Sequence, residues 1–583
     1  MEIDEGFSSH LLSEKSVYNP HDPIFRPIPM RAFFLLLASI LISLAWLSPD
    51  HAFPWLTFSS EMLSFAAVLS LLAGLCDQNL RVPKIQWVAL PIVTIPLLQW
   101  VCGLVLDLSS ALLFSFYLLA FWFVTIASYN LAIQNDRKKL FIRICYVLLI
   151  TSTISSVIAI LQWLNLDQHL YGVMELRAGN RPFANFAQPN NMSTFLVMGL
   201  MACLYLFEQQ KLKKPLLTLA SVVILFAIAL SQSRTAWVVC LFFMVYWTYK
   251  TYKYPVCLRM PYMLLWVISF VAIICLLPSL SSFIASLGAE KVVEASSVAE
   301  RATTGYLRFD IWTQMLLAIQ QHPLSGYGWG QTSLAQLTIF NLHPSHEWVT
   351  SGHNILLDII VWNGLPLGLL IIGYMACWIL WLNHKAKSLE SIIALLMVGA
   401  ILVHALLEFP LRYAYFLFPL GFLLGFVQSQ APELKASILS KYVVRGVVVI
   451  GSILMVLIWR DYTVYKLNNG LAFRGEQPTQ TVWGSTDIYL LTQFKDRMLW
   501  LQMNPTTQLS EDELTQLGQM VKNRASPYNL HKYAQLLLAN GKAYEAGQYL
   551  YYLNMLHHES YTLQDLSAEN AASAMYGEDE KKR

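Results

Sequence analysis

The sequence predicts an all-α polytopic membrane protein of about thirteen spans, with an α-helical C-terminal domain outside the bilayer. Three observations carry that expectation. Of 583 residues, 56% are hydrophobic and 13% charged, whereas a soluble chain carries about 25% charged residues. Apolar runs of roughly eighteen residues or more recur, each long enough to cross ~30 Å of hydrocarbon. Lys and Arg gather in alternate short loops between those runs, the pattern that orients a polytopic chain.

In order, the apolar runs lie near 32–48, 59–75, 86–103, 109–133, 144–163, 191–207, 216–231, 235–249, 261–279, 354–382, 391–408, 413–428 and 442–459. The polar residues 1–30 ahead of them hold no short apolar core, so they read as a cytoplasmic segment rather than a cleaved signal. The loops with Arg81/Lys84, Arg137 to Arg143, Lys211 to Lys214, Lys250 to Arg259, Lys385/Lys387 and Lys435 to Arg445 fall on one side. The positive-inside rule makes that side cytoplasmic. The membrane domain then covers residues 31–460, with outward loops at 164–190 and 280–352, and the tail 461–583 lies outside. In the tail, Glu511–Val521, Tyr528–Ala539 and Ala543–Leu553 read as helices, with Asn540-Gly541 as a turn, a pattern like a tetratricopeptide pair.

Several chemistries are set aside by composition. The net charge of +3 is spread through short loops, so no nucleic-acid partner is expected. All eight cysteines lie in or beside apolar segments, which leaves neither a disulfide framework nor a CxxC metal site. His343-Pro344-Ser345-His346-Glu347 spaces two histidines three apart, but proline interrupts them and no HExxH occurs. No metal site and no cofactor is expected.

The topology has a chemical consequence. Every even-numbered span runs inward, so its N-terminus, with free N–H groups and the positive dipole end, faces the outer compartment. Unusual polar residues collect at those ends: Arg181-Pro182-Phe183-Ala184-Asn185-Phe186-Ala187-Gln188-Pro189-Asn190-Asn191 before the sixth, Ser231-Gln232-Ser233-Arg234-Thr235 before the eighth, His353-Asn354 before the tenth, and Glu408-Phe409-Pro410-Leu411-Arg412-Tyr413 before the twelfth. Helix N-termini bind anions, and an arginine there adds a planar donor fork suited to phosphate.

Each residue also has a plainer reading. Arg234 reads as an interfacial anchor or as an anion-binding cation; its outer position, against the positive-inside bias, favours the second. Arg308 opens an amphipathic helix whose apolar stripe is Ile311, Trp312, Met315, Leu316 and Ile319. That helix either rests on the lipid surface with Arg308 paired to Asp310, or presents Arg308 to a ligand. Gly326-Tyr327-Gly328-Trp329-Gly330 then forms a loop whose backbone can approach a ligand closely. His353 is either a cap or a general base: a positive helix end and nearby arginines disfavour imidazolium, leaving a ring able to accept a proton. Asn354 and Asp358 are the residues available to orient it. Gln188 is a cap or a ligand for a sugar or phosphate oxygen. Tyr413 belongs to an aromatic belt or to the site.

At these motifs the chain resembles a known family. FAQPNN, SQSRTA, the R-F-D-I-W helix with HPLSGYGWG, SGHN and EFPLRYAY, in that order over residues 30–430, resemble the O-antigen ligase-like superfamily and, within it, the PglL-type bacterial protein O-oligosaccharyltransferases. The resemblance implies a multi-pass glycosyltransferase of the C type (GT-C) in the bacterial inner membrane, with its active site and C-terminal domain periplasmic. It implies en bloc transfer of an oligosaccharide from undecaprenyl pyrophosphate to a Ser or Thr hydroxyl of an exported protein, a pilin or pilin-like protein among the candidates. By position His353 is the essential histidine, Arg234 and Arg308 hold the pyrophosphate, and Gln188 and Tyr413 match positions of the transferase branch. Asn190, Asn354 and Arg181 are weaker candidates for donor or acceptor contact. The expected reaction is an inverting, metal-independent displacement. The rival expectations are an O-antigen ligase acting on lipid A-core, a glycan polymerase, or a transporter of lipid-linked sugar. Relatives often carry tryptophan at the position of Arg412, which leaves that residue's role open.

Overall fold

The computed structural model describes residues 29–168, 170–177, 180–252, 256–286, 306–431 and 434–569. Helices stand at all thirteen expected spans: α1 (Met30–Leu47), α2 (Phe58–Ala73), α3 (Lys84–Val101), α4 (Leu108–Gln134), α5 (Arg137–Trp163), α6 (Pro189–Glu208), α7 (Lys214–Ser231), α8 (Arg234–Thr251) and α9 (Met260–Ser286), then α12 (Ile355–Lys385), α13 (Leu389–Ala405), α14 (Ala414–Gln428) and α15 (Lys441–Phe473). Between α9 and α12 come α10 (Tyr306–Gln321) and α11 (Thr332–Thr338). Among the described residues nine helices are long and apolar enough to cross a membrane. The chain is a polytopic, mostly helical membrane protein.

Three of the thirteen, α2, α13 and α14, have only 16, 17 and 15 residues, against the ~20 of a full span. Their shortness matters. The connection between α13 and α14 is drawn into the bundle, and Glu408 within it is only 8% exposed. A second buried carboxylate, Glu61 at the start of α2, accepts hydrogen bonds from the Tyr117 hydroxyl (2.8 Å) and from the Ala414 amide (2.9 Å). It thereby holds the N-terminus of α14, where a negative group opposes the positive helix end.

The basic loops do meet at one end. Leu80–Pro83 (β1) and Ala436–Leu439 (β2) pair antiparallel, Leu80 opposite Leu439, and the Lys84 amide donates to the Lys435 carbonyl at 2.9 Å. Arg137 donates to the Ser391 hydroxyl (2.9 Å) and Arg445 to Asp77 (3.0 Å). This small sheet has no hydropathy signal, because four-residue strands inside polar loops show no period.

At the opposite end α12 breaks. Gly364 has φ +72°, and the helix restarts beyond it. The carbonyls freed by the break are taken by the glycine-rich loop: the Tyr327 amide donates to Val361 (2.9 Å), the Gly328 amide to Trp362 (3.0 Å), and the Leu365 amide to the Pro323 carbonyl (2.7 Å). Gly326 is therefore spent on close approach to the broken helix, Gly328 on the Leu104 carbonyl and Gly330 on the Phe114 ring, so the loop's glycines face protein where close approach to a ligand was expected. A Cβ on Gly364 meets the Leu324 carbonyl oxygen at 2.2 Å, and one on Gly326 meets that of Val361 at 2.5 Å. Gly364→Ala is expected to cost about 1–3 kcal/mol from the left-handed backbone alone, read as a lower melting temperature in detergent. Gly373→Ala in the same helix, with nothing within 4 Å of its Cβ, is the control that leaves melting unchanged.

The tail is helical: α16 (Thr492–Gln502), α17 (Glu511–Asn523), α18 (Pro527–Ala539) and α19 (Ala543–His557). α17 begins with a reciprocal capping box between Ser510 and Glu513, and Pro527 opens α18. α15, at 33 residues, is about 50 Å long and runs without a break through the expected boundary at 460/461. There Arg460 and Asp461 form a buried ion pair, with Asp461 accepting the amides of Tyr489 (2.9 Å), Leu490 (2.5 Å) and Leu491 (3.1 Å). The tail packs on the segment ahead of α12: Leu337 of α11 and Phe340 just beyond it share a core with Leu530, Tyr552 and Leu553, and Ser333 donates to the Lys522 carbonyl at 2.6 Å.

Candidate active site

Four chain segments converge on Glu408. Its Oε1 accepts from Arg308 at 2.6 Å and from the Asn190 amide at 3.2 Å, and its Oε2 lies 2.8 Å from His353 Nδ1. Asn190 in turn accepts from the Ser233 hydroxyl at 2.7 Å, which ties in the start of α8 beside Arg234. A buried carboxylate needs such partners, because losing water without replacement bonds is costly. Burial by itself pushes the Glu408 carboxyl up, but the hydrogen bond from His353 and the Arg308 guanidinium outweigh it and hold the group below the usual carboxylate range. Ionised, it can only accept, so the ring proton belongs on Nδ1 and Nε2 is left as an acceptor.

His353 is held by its own loop. It has φ +48°, a left-handed conformation uncommon outside glycine. The turn before it is fixed by Asp358, buried in the first turn of α12. That carboxylate accepts from the Ser351 hydroxyl (2.6 Å), the Gly352 amide (2.7 Å) and the Thr332 hydroxyl (3.2 Å). The His353 amide donates back to Ser351 Oγ at 3.2 Å. Arg412, exposed, ties the 410–412 turn to the same loop by donating to the Thr350 carbonyl (2.9 Å) and hydroxyl (3.1 Å). The Phe409 ring meets the imidazole edge-on at 5.1 Å. Four of the eight non-glycine residues with positive φ among those described are Ala184, Ala187, Gln232 and His353, so unfavourable backbone gathers around this cluster.

The sequence-derived candidates fare differently. His353, Arg308 and Asn190 share one carboxylate. Arg181 donates to the carbonyls of Ser231 and Gln232, both at 3.2 Å, at the C-terminal end of α7. Burial first, then the neighbouring Arg234 cation, lower the Arg181 guanidinium's proton affinity while Glu408 opposes them, which sets all three in one field. Arg234 itself is exposed at the first position of α8. Gln188 and Asn354 act as caps, Gln188 accepting the Asn191 amide and Asn354 the Leu356 amide, each at 3.0 Å. Tyr413 stacks on Tyr415 at 5.2 Å, and Tyr415 accepts from the Asn191 amide at 3.2 Å.

Three local readings need correction. Arg308 pairs with Glu408 and not with Asp310, which instead lies 3.5 Å from His343. Neither Asn354 nor Asp358 touches the ring; Glu408 orients it from 55 residues away. In α10 the packed stripe is Ile311, Met315, Ala318 and Ile319, and Leu316 is 53% exposed, because the helix lies against α12 as well as the surface. Glu408 is the functional residue that motif and spacing leave unmarked. The available signal was an acidic residue at the end of a wholly apolar helix in a chain poor in charge.

Comparison with known proteins gives the family. Family models match at residues 219–372 (O-antigen ligase), 392–571 (virulence factor membrane-bound polymerase, C-terminal) and 182–207 (protein glycosylation ligase). The chain is 51% identical over 558 residues to a general O-oligosaccharyltransferase of Acinetobacter baylyi, covering 96% of this chain and 98% of that one. It is 28% identical over 410 residues to a ComP-specific O-oligosaccharyltransferase of the same organism, covering 70% of this chain and 73% of the other. The chain belongs to the bacterial protein O-oligosaccharyltransferases of the O-antigen ligase superfamily, and is a membrane glycosyltransferase.

Proposed function

We propose that the protein transfers a preassembled oligosaccharide en bloc from undecaprenyl pyrophosphate to a Ser or Thr hydroxyl of an exported protein, on the periplasmic face of the inner membrane. The observation that carries this reading is the convergence of His353 and Arg308 on Glu408. A serine hydroxyl is too weak an acid to attack unaided, so His353 Nε2 takes its proton as general base. The oxygen attacks the anomeric carbon as the bond to pyrophosphate breaks, inverting that centre. Glu408 fixes the tautomer and stabilises the imidazolium that forms. Negative charge growing on the leaving diphosphate is met by Arg308, through guanidinium N–H groups not committed to Glu408, by Arg234, and by the N-terminal ends of α6, α8 and α12. These cations supply charge stabilisation from the protein itself, so the reaction proceeds without a metal ion.

The greater similarity to the relative named general than to the one named for a single acceptor supports a broad acceptor range, pilin-like proteins included. Purified protein, lipid-linked donor and an exported acceptor protein test the reading. Glycan is expected on the acceptor's hydroxyls, with the rate unchanged by EDTA. Glycan on lipid A-core alone overturns the acceptor, and loss with EDTA restored by Mg²⁺ overturns the metal-free step.

A further inference from the structure

Away from the site, α1 lies at the edge of the bundle, with only Ala38, Ala45 and Trp46 of its residues buried. It packs closely on α2, where Ser70 donates to the Phe34 carbonyl at 2.9 Å. Its site end is tied to α14, with Trp46 Nε1 donating to the Tyr415 carbonyl at 2.8 Å. At its other end Arg31 donates to Gln134 at the end of α4, at 3.0 Å. Between those ties lies a cavity of about 610 Å³, overwhelmingly apolar and bounded by α1, α2, α4, α5, α6 and α14. Small side chains make the room, Ala38 and Ala67 among them. Ala32 and Leu36 line it and are also exposed, so it opens sideways.

Two facts say what fills it. An apolar space offers water no partners, so in a bilayer it takes up hydrocarbon rather than solvent. Its volume is within the ~300–1,000 Å³ of well-formed ligand sites. Arg31 and Arg143 line the mouth at the end remote from Glu408, and neither pairs with a carboxylate among the described residues. A guanidinium fork suits phosphate, and basic groups at a membrane surface draw anionic lipid. We propose that this cavity is a binding site for an anionic phospholipid of the leaflet opposite the active site, with an acyl chain along α1 and the headgroup phosphate between Arg31 and Arg143. The site is independent of the catalytic reading above.

Native mass spectrometry of the full chain, released from bilayers of equal phosphatidylglycerol and phosphatidylcholine, tests it. Phosphatidylglycerol is expected to be retained in preference. Arg31→Ala with Arg143→Ala is expected to weaken that retention on the order of tenfold or more. Ala38→Phe, which fills the cavity without touching charge, is expected to lower it as well, and Lys139→Ala, a basic residue on the same face, to leave it unchanged. Equal retention of the two lipids, an unaffected double-arginine variant, or an equal loss in Lys139→Ala overturns the proposal. So does displacement of the retained lipid by undecaprenyl phosphate, which would assign the space to a polyprenyl chain. Phosphatidylglycerol retained only after removal of residues 2–28 would assign it instead to the chain's own N-terminal segment.

Discussion

Alanine at His353 is expected to lower glycan transfer by about 10²–10⁴-fold, the usual contribution of a positioned general base, while expression and donor binding persist. The separation follows from geometry. Removing the imidazole leaves Arg308 and Asn190 on Glu408 Oε1, so the cation proposed to hold the diphosphate keeps its place. The backbone at 353 is also held from outside the side chain, by Ser351, Gly352 and Asp358. A transfer assay on purified protein beside a donor-binding assay reads the two effects apart. Transfer within about threefold of the parent rules out His353 as the base. Loss of donor binding in parallel with transfer would make it a binding residue instead.

Glu408→Gln is expected to have an effect of similar size, about 10²–10⁴-fold, with the melting temperature nearly unchanged. Glutamine keeps the shape but can donate, so it accepts either imidazole tautomer and no longer selects the one with Nε2 free. The loss should fall on kcat rather than on KM for the donor, because Arg308 retains a carbonyl acceptor. Glu408→Asp keeps the charge with a shorter reach and should restore part of the rate. Glu408→Ala is a different experiment. It strips three partners from a buried position, and lower thermal stability accompanies the lost activity. Equal loss in the Gln and Asp variants would contradict a positioning role.

Much of the fold was legible because hydrocarbon imposes one simple demand, an apolar helix, and helices stand at the thirteen expected places, nine of them long and apolar enough to cross among the described residues. The tail helices were legible for another reason: Ser510, Pro527 and Asn540-Gly541 are local start and stop signals that need no tertiary context. What the sequence hid is non-local. The ring's partner is Glu408 and not its neighbour Asp358, because α13 and α14 are short and carry their connection inward. The break at Gly364 was hidden inside an unbroken apolar run, and with it the true use of the 326–330 glycines. The sheet joining residues 80–83 to 436–439 spans more than half the chain. Gln188 and Asn354 were visible as polar residues at helix starts, yet only coordinates tell that both are engaged as caps.

The central claim is that His353 and Arg308, which share Glu408, embrace a single diphosphate together with Arg234 at the start of α8. A structure of the protein with undecaprenyl-pyrophosphate-linked oligosaccharide bound tests it most directly. The account predicts the diphosphate within hydrogen-bond reach of both Arg308 and Arg234, and His353 Nε2 facing the open side of the anomeric carbon. A donor whose diphosphate lies out of reach of Arg308, or whose anomeric carbon is turned away from His353, contradicts it.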